Sequence, residues 1–264
     1  MAGVMTRTLA ILERLAADVE GLPLASIADE LHMPKSAAHR LLLELIEHGY
    51  VRQSRERGDY MLTTRLVSLG LNYLRNSGLS DLCQPVLDRL AASSGEFVRL
   101  GVVDVDHLTW VAKAQGARSG LRYDPDMGID AKLSCTASGH AWLATLSDDD
   151  ALQLASRQGF GKPEQYGPNA PATPTALLKA LRAVRKAGYA ITEETYTPGL
   201  SAVSVAVQAP SQGAVGVITI SGPSVRLTGE RMRALVPDLM AAAADLGSAS
   251  GSSPLFNRAY APPA

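Results

Sequence analysis

Pro23-Leu-Ala-Ser-Ile-Ala-Asp-Glu-Leu-His-Met-Pro-Lys-Ser-Ala-Ala-His-Arg-Leu-Leu42 holds two short apolar periodicities separated by a tight break. In the first, Leu24, Ile27, Ala28 and Leu31 recur at helical spacing while Asp29 and Glu30 face away. The second begins at Pro34, which suits the first turn of a helix because its missing N–H would be unpaired there anyway. Ala38, Leu41, Leu42, Leu45 and Ile46 form its apolar face, which ends at Gly49, and Lys35, Ser36, His39, Arg40, Glu44 and Glu47 lie opposite. Upstream, Leu9, Ile11, Leu12, Leu15, Ala16 and Val19 mark an earlier helix between Thr6 and Val19. Downstream the period shifts to two: residues 50–54 read as a strand, 55–59 as a turn and Tyr60-Met61-Leu62 as the return strand.

Two short helices across a tight turn, the second opening with small and basic residues and followed by a hairpin, make a winged helix-turn-helix pattern. The first turn of the second helix can enter a major groove, where Lys35, Ser36, Ala37, His39 and Arg40 reach base edges or phosphates. Arg52, Arg55 and Arg57 on the hairpin supply further positive charge. Between His32 and Arg57 five Lys/Arg face three acids, but over residues 1–77 nine of each cancel, so one copy has a modest electrostatic pull on DNA. A three-helix protein-interaction module is the alternative on pattern alone.

The whole chain narrows the classes further. Its 264 residues are 46% hydrophobic and 19% charged, enough for a real core and too long for one average domain. A net charge of −1 excludes a polybasic coat, so any nucleic-acid surface must be local. No apolar run nears the roughly 20 residues that span a bilayer, and the start of the chain interrupts its apolar pattern with acids and arginines, unlike a signal peptide. A cytoplasmic location is expected. Cys83 and Cys135 are neither a disulfide framework nor a zinc module, and reduced, buried thiols are expected.

Residues 65–76 resume a helical pattern (Leu66, Leu69, Leu71, Leu74) and read as a linker, whose apolar stripe could pair with a second chain. Ser77-Gly78 breaks it, and Ser80 is expected to cap the next helix. Strands are expected at 97–103, 108–114, 189–195, 202–208 and 214–221, with hairpin turns at 104–107 and 210–213. Helices are expected at 138–146, after Ser147 with its capping partner Asp150, at 175–187 ending on Gly188, and from Thr228 to about Leu246. From Gly247 the Gly/Ser/Pro/Ala-rich end reads as a disordered tail.

The helix-turn-helix stretch, ending in Glu47-His-Gly-Tyr-Val51, resembles the DNA-binding domain of the IclR family of bacterial transcriptional regulators. Leu133-Ser-Cys-Thr-Ala-Ser-Gly-His-Ala-Trp-Leu-Ala144, Arg185-Lys-Ala-Gly-Tyr-Ala-Ile-Thr-Glu-Glu194, Pro198-Gly-Leu200 and Ile220-Ser-Gly-Pro-Ser-Val-Arg226 resemble, in order, segments of that family's effector-binding domain. The resemblance spans residues 4–246. It implies an α+β protein of two domains: a winged helix-turn-helix over 1–64, a linker helix over 65–78, and a GAF-like α/β effector domain with an antiparallel sheet over 79–247, before a tail at 248–264. It also implies a homodimer or dimer of dimers.

By the same resemblance Ala137 and Ser138 match backbone positions of the effector pocket, and Leu200, Ala131 and Tyr123 match wall positions, with Leu133 beside them. Thr192 and Ala202 stand where small-acid sensors of the family carry an Asp and a Cys, and His32 stands where the helix-turn-helix turn usually has Gly. The residues themselves agree in part: Thr136-Ala137-Ser138 at a helix start offers unpaired N–H groups and hydroxyls to a carboxylate, capping being the alternative. Loss of the acid and thiol predicts a less charged, roomier cavity, and hence an aromatic or medium-sized organic acid.

Cys135 and His140 could form a thiol-imidazole pair, but a small buried Cys is the commoner case. His107, between Asp104 and Asp106, is expected to be solvated. Glu193 and Glu194 point to opposite faces of a strand and cannot share a site. No catalytic residue, metal or cofactor is therefore expected. The partners expected are double-stranded operator DNA, a small organic acid and further copies of the chain, without a membrane. An enzyme, or a retired catalytic α/β domain fused to a helix-turn-helix, is the alternative reading.

Overall fold

Helical spacing in the first 76 residues produces α1 (Val4–Ala16), α2 (Leu24–Glu30), α3 (Lys35–Glu47) and α4 (Arg65–Asn76), with a hairpin of β1 (Val51–Gln53) and β2 (Tyr60–Leu62) between the last two. The structure is a computed structural model that describes residues 3–125, 127, 130–160, 165–210 and 212–257. Contacts divide the chain into two compact units, Met1–Asn76 and Ser77–Ala264. In the first, Ile11, Leu15, Ile27, Ala28, Leu41, Leu42 and Leu45 close a core that Val51 and Tyr60 of the hairpin complete. Leu9 and Val19, read as part of the apolar face of α1, are exposed; the helix stops at Ala16, and Asp18 N–H turns back to the carbonyl of Leu15.

The turn between α2 and α3 is made by His32 in the left-handed region, with φ 49°. Met33 N–H then reaches the carbonyl of Ala28 at 2.9 Å, and α3 starts directly after Pro34. A residue with a Cβ carries a steric cost in this conformation that Gly escapes.

In the second unit α5 (Leu79–Ser94) leads into β3 (Phe97–Asp104) and β4 (His107–Gln115). Then come α6 (Ala137–Leu143), α7 (Asp148–Gln158), α8 (Pro174–Ala187), β5 (Ala190–Glu193), β6 (Leu200–Ala209), β7 (Gly213–Pro223) and α9 (Gly229–Ser248). The five strands form one antiparallel sheet in the order β4-β3-β7-β6-β5. α5 and α9 pack together and against the sheet. Residues of α6, α7 and α8 share a separate buried cluster with Trp110, Val217, Ala202 and Ala206 of the strands.

Local chemistry sets the ends. Ser147 accepts from Asp150 N–H, Thr173 from Ala176 N–H and Thr228 from Arg231 N–H, each satisfying an orphan amide of its helix. Ser80 is not the cap of α5: the helix starts at Leu79, whose N–H goes to the hydroxyl of Ser77, with Gly78 left-handed between them. The tail reading is also corrected. α9 runs to Ser248, and short 3-10 turns follow at Ser250–Ser252 and Pro254–Asn257. Phe256 is fully buried, its ring 3.3 Å from where a Cβ on Gly216 would stand, so burial of one aromatic ring orders a segment whose composition suggested none. Residues 258–264 of the expected tail lie outside the described residues. Among the described residues no helix is long and apolar enough to cross a membrane.

The strained turn gives a direct test. His32→Val should lower stability by about 1–2 kcal/mol, while His32→Gly should melt at or above the wild-type temperature. A Gly variant that melts lower would show that the imidazole, and not the backbone, holds this turn.

Candidate functional site

The first site is the outer side of α3 and the hairpin. With Ala38, Leu41, Leu42 and Leu45 committed to the core, Lys35, Ser36, His39 and Arg40 are exposed and Ala37 is half-buried. Arg52 leaves β1 on its exposed side, and Arg55 and Arg57 occupy the hairpin turn, which Ser54 and Asp59 close through backbone hydrogen bonds. Among the described residues none of these cations forms an ion pair, so their charge is available to an anionic partner.

The second site is a cavity on the sheet face that α6 covers. Residues opposite one another across strand pairs share a face. Thr192, Ala202, Ser221 and Phe97 therefore form one row across β5, β6, β7 and β3, and Ser204, Thr219 and Arg99 form the next. The cavity is lined by Arg99, Thr219 and Ser221 from β3 and β7, Thr192, Leu200 and Ala202 from β5 and β6, Thr136, Ala137 and Ser138 at the start of α6, and Tyr123, Thr195 and Tyr196 from connecting segments. Seven of the nine effector residues expected from sequence thus meet in one place. Ala131 and Leu133 do not line it; both are buried in the cluster beneath α6 and α7. Arg99, Thr195, Tyr196, Thr219 and Ser221 were not anticipated. A lone Arg inside Phe97-Val-Arg-Leu-Gly-Val-Val103, and the alternating hydroxyls of Thr219 and Ser221, were the available signals.

Two expectations about this cavity are corrected. It offers only about 20 Å3, room for one water, with Tyr123 and Tyr196 among the side chains that line it. Nor is it less charged. Arg99 is only 7% exposed, its guanidinium carbon lies 3.5 Å from the centre of the Trp110 ring, and its Nε has no hydrogen-bond partner among the described residues. Burial pulls its pKa down to about 10, which leaves it a cation at neutral pH. Gly101 makes the stack possible: a Cβ there would meet Leu108 at 2.9 Å and the Trp110 ring at 3.4 Å.

The hydroxyls at the start of α6 are engaged. Thr136 donates to the carbonyl of Lys132 at 2.7 Å and accepts from Gly139 N–H and the Ser138 hydroxyl, each at 3.0 Å. Thr136 is a helix cap, and only first-turn amides remain unused there. Thr195 donates to the carbonyl of Cys135 at 2.6 Å, tying the end of β5 to the approach to α6.

The thiol and imidazole next to the cavity are not arranged for nucleophilic chemistry. Burial pushes the Cys135 thiol up to about 11, and the His140 ring bonds the carbonyl of Ser134 at 2.9 Å, with burial pulling its pKa down. His107, expected to be solvated, is half-exposed and lies between Asp106 and Asp130 at 3.0 and 2.9 Å. A larger apolar groove of about 520 Å3 lies between α6, α8, β6 and α9, but its one cation, Arg185, is already spent on Asp148 and the carbonyls of Ala144 and Leu146.

Comparison with known proteins covers both units. Residues 4–55 match the IclR helix-turn-helix domain family, and residues 71–248 match the family described as bacterial transcriptional regulator IclR C-terminal. The acetate operon repressor of Salmonella typhimurium strain LT2 is 28% identical over 250 residues, 94% of this chain and 90% of that protein. Among solved structures, an IclR transcriptional regulator from Alicyclobacillus acidocaldarius superposes with a TM-score of 0.80 at 22% identity, covering 94% of this chain and 98% of its own. An IclR homologue from Microbacterium hydrocarbonoxydans, solved in complex with 4-hydroxybenzoate, gives 0.72 at 19% identity, covering 92% and 99%.

The cavity floor depends on a glycine. A Cβ on Gly139 would stand 2.3 Å from the carbonyl oxygen of Leu133, so the first turn of α6 lies directly on that backbone. Gly139→Ala should therefore lower the melting temperature of the protein, with a cost of about 1–3 kcal/mol from overpacking. An unchanged melt would mean that α6 can shift away without loss.

Proposed function

Because the chain belongs to the IclR family of bacterial transcriptional regulators, we propose that it binds operator DNA through Lys35, Ser36, Ala37, His39, Arg40, Arg52, Arg55 and Arg57 and releases or tightens that grip when an organic acid with an aromatic body fills the α6 cavity. In this division of labour residues 1–64 read DNA, the helix over 65–78 links, and the following unit, which continues beyond 247, senses the ligand. The observation that carries the reading is the convergence of Thr136, Ala137, Ser138, Thr192, Leu200 and Ala202, distant in sequence, on one cavity that also holds a buried cation without a carboxylate partner among the described residues. A cation in that position favours an acid, and the aromatic walls favour a planar one. The 4-hydroxybenzoate complex of a homologue with the same fold supports that class. The raised thiol and the engaged imidazole support binding without turnover.

A homodimer is part of the proposal. α4 is strongly amphipathic by sequence, yet among its described residues none is buried, and Val67, Leu69 and Leu71 are about half or more exposed. Val4, Met5 and Leu9 of α1 are exposed as well. Apolar faces of this kind gain stability by pairing, and pairing doubles the DNA contacts of a unit whose charges otherwise cancel.

Lys35→Ala and Arg40→Ala should each weaken operator binding with an unchanged melting temperature, and loss of a phosphate contact should flatten the log–log salt slope by about one unit. Wild-type affinity in both would return the unit to a protein-interaction role. Light scattering of the full chain should give at least a dimer, and Val67→Glu with Leu69→Glu should shift it towards monomer and weaken operator binding together. A wild-type monomer that binds the operator tightly would overturn the pairing.

A further inference from the structure

Among the described residues of this unit, the other buried charge is paired. Glu96, 1% exposed, receives both Nε and a terminal nitrogen of Arg226, at 2.6 and 2.8 Å. Arg99 follows Glu96 by three positions and has no such carboxylate partner among the described residues. Its guanidinium is held by the face of Trp110, an attraction that lessens the cost of removing a cation from water without cancelling it. The group that faces it is the Tyr123 side chain, which lines the same cavity, hydrogen-bonds Arg99 and packs edge-on against Phe97 with ring centres 5.8 Å apart. The phenol offers Arg99 a dipole where a carboxylate would offer a charge.

We propose that Arg99 selects the ligand by its carboxylate, and that Tyr123 holds the carboxylate's place on Arg99 until a planar monocarboxylate enters and turns the phenol outward. The inference rests on the reading of this cavity as the effector site. Volume requires something to move, since about 20 Å3 is far below the roughly 150 Å3 of an apolar cavity that takes benzene. The moving part is the side chain, because the backbone on either side is tethered. Arg226 donates to the carbonyl of Leu121 at 3.1 Å, Gln115 donates to the carbonyl of Tyr123 at 2.9 Å, and Lys113 pairs with Asp124 at 2.9 Å. One buried cation without a carboxylate partner among the described residues calls for one carboxylate. The flat Arg99–Trp110 stack and the walls at Tyr196, Leu200 and Ala202 call for a planar, apolar remainder.

Calorimetry with benzoate on the full-length protein tests this, with thermal melts confirming that each variant folds. Tyr123→Ala should bind benzoate about tenfold or more tightly than wild type, because the competent state no longer waits for the phenol to leave. Tyr123→Phe, which loses only the hydroxyl, should fall between the two, and adding Arg99→Gln to Tyr123→Ala should abolish the gain. The proposal is overturned if Tyr123→Ala binds benzoate no more tightly than wild type, absence of binding in both included, or if Arg99→Gln leaves the gain intact. Operator binding in the presence of benzoate and 4-hydroxybenzoate separates the two readings. Tight, Arg99-dependent binding that never alters operator affinity would uphold the plug and sink the regulatory role of the cavity. An operator response with the same midpoint in wild type and Tyr123→Ala would do the reverse.

Discussion

In the antiparallel sheet β4-β3-β7-β6-β5, residues that oppose one another across each strand pair project to the same face, and one slip in register would exchange the two faces completely. That constraint assembles the cavity. Thr192, Ala202, Ser221 and Phe97 come from four strands spread over more than a hundred residues of chain, yet they lie side by side because Thr192 pairs with Ala202, Ala202 with Ser221 and Ser221 with Phe97. The next row brings Ser204 and Thr219 into a 2.7 Å hydrogen bond and sets Arg99 beside them. The intervening residues Val98, Leu100, Ile218, Ile220, Val203 and Val205 face the other way, and their burial holds the register that the polar rows need.

Within that frame the distribution of charge separates structure from recognition. Glu96 and Arg226 satisfy each other bidentately, and Arg226 extends the link to the carbonyl of Leu121, so that this pair fastens the segment carrying Tyr123 to the sheet. Arg99 does no such work. It sits on an aromatic face, nearly buried, where a cation is costly to keep and strong in its attraction for an anion because little water screens it. A buried cation kept at some expense to stability is what the proposed binding site would require.

The N-terminal unit solves a different problem with less material. Its core takes the apolar stripes of three helices and the inner side of a hairpin whose strands are three residues long, and it leaves the first turn of α3 and the arginines of the turn on the outside. Nine positive and nine negative groups over residues 1–77 leave attraction to DNA to the local arrangement around α3. The apolar exposure of α1 and α4 on the same unit is the surface that the proposed pairing of two copies would cover.

Sequence by itself determined the features that rest on near neighbours. The 3.6-residue spacing placed α2 and α3, the alternation after Gly49 placed the hairpin, and Ser147 and Thr228 marked helix starts because a cap acts within three residues of itself. The family resemblance carried Tyr123, Ala137, Ser138, Thr192, Leu200 and Ala202 to the cavity, and the helix-start reading added Thr136, but Ala131 and Leu133 were expected at a wall they do not form. What only the tertiary structure decided is what depends on partners far along the chain. The stack of Arg99 on Trp110 needs a strand pairing and a glycine at 101 to make room. The placing of Tyr123 and Tyr196 at the cavity needs two irregular segments brought to one sheet face, and the burial of Phe256 needs the space beside Gly216. Composition and periodicity report a residue's preference for water or for a neighbour a few positions away, whereas a cavity's charge and volume are set by which distant side chains arrive in the same place.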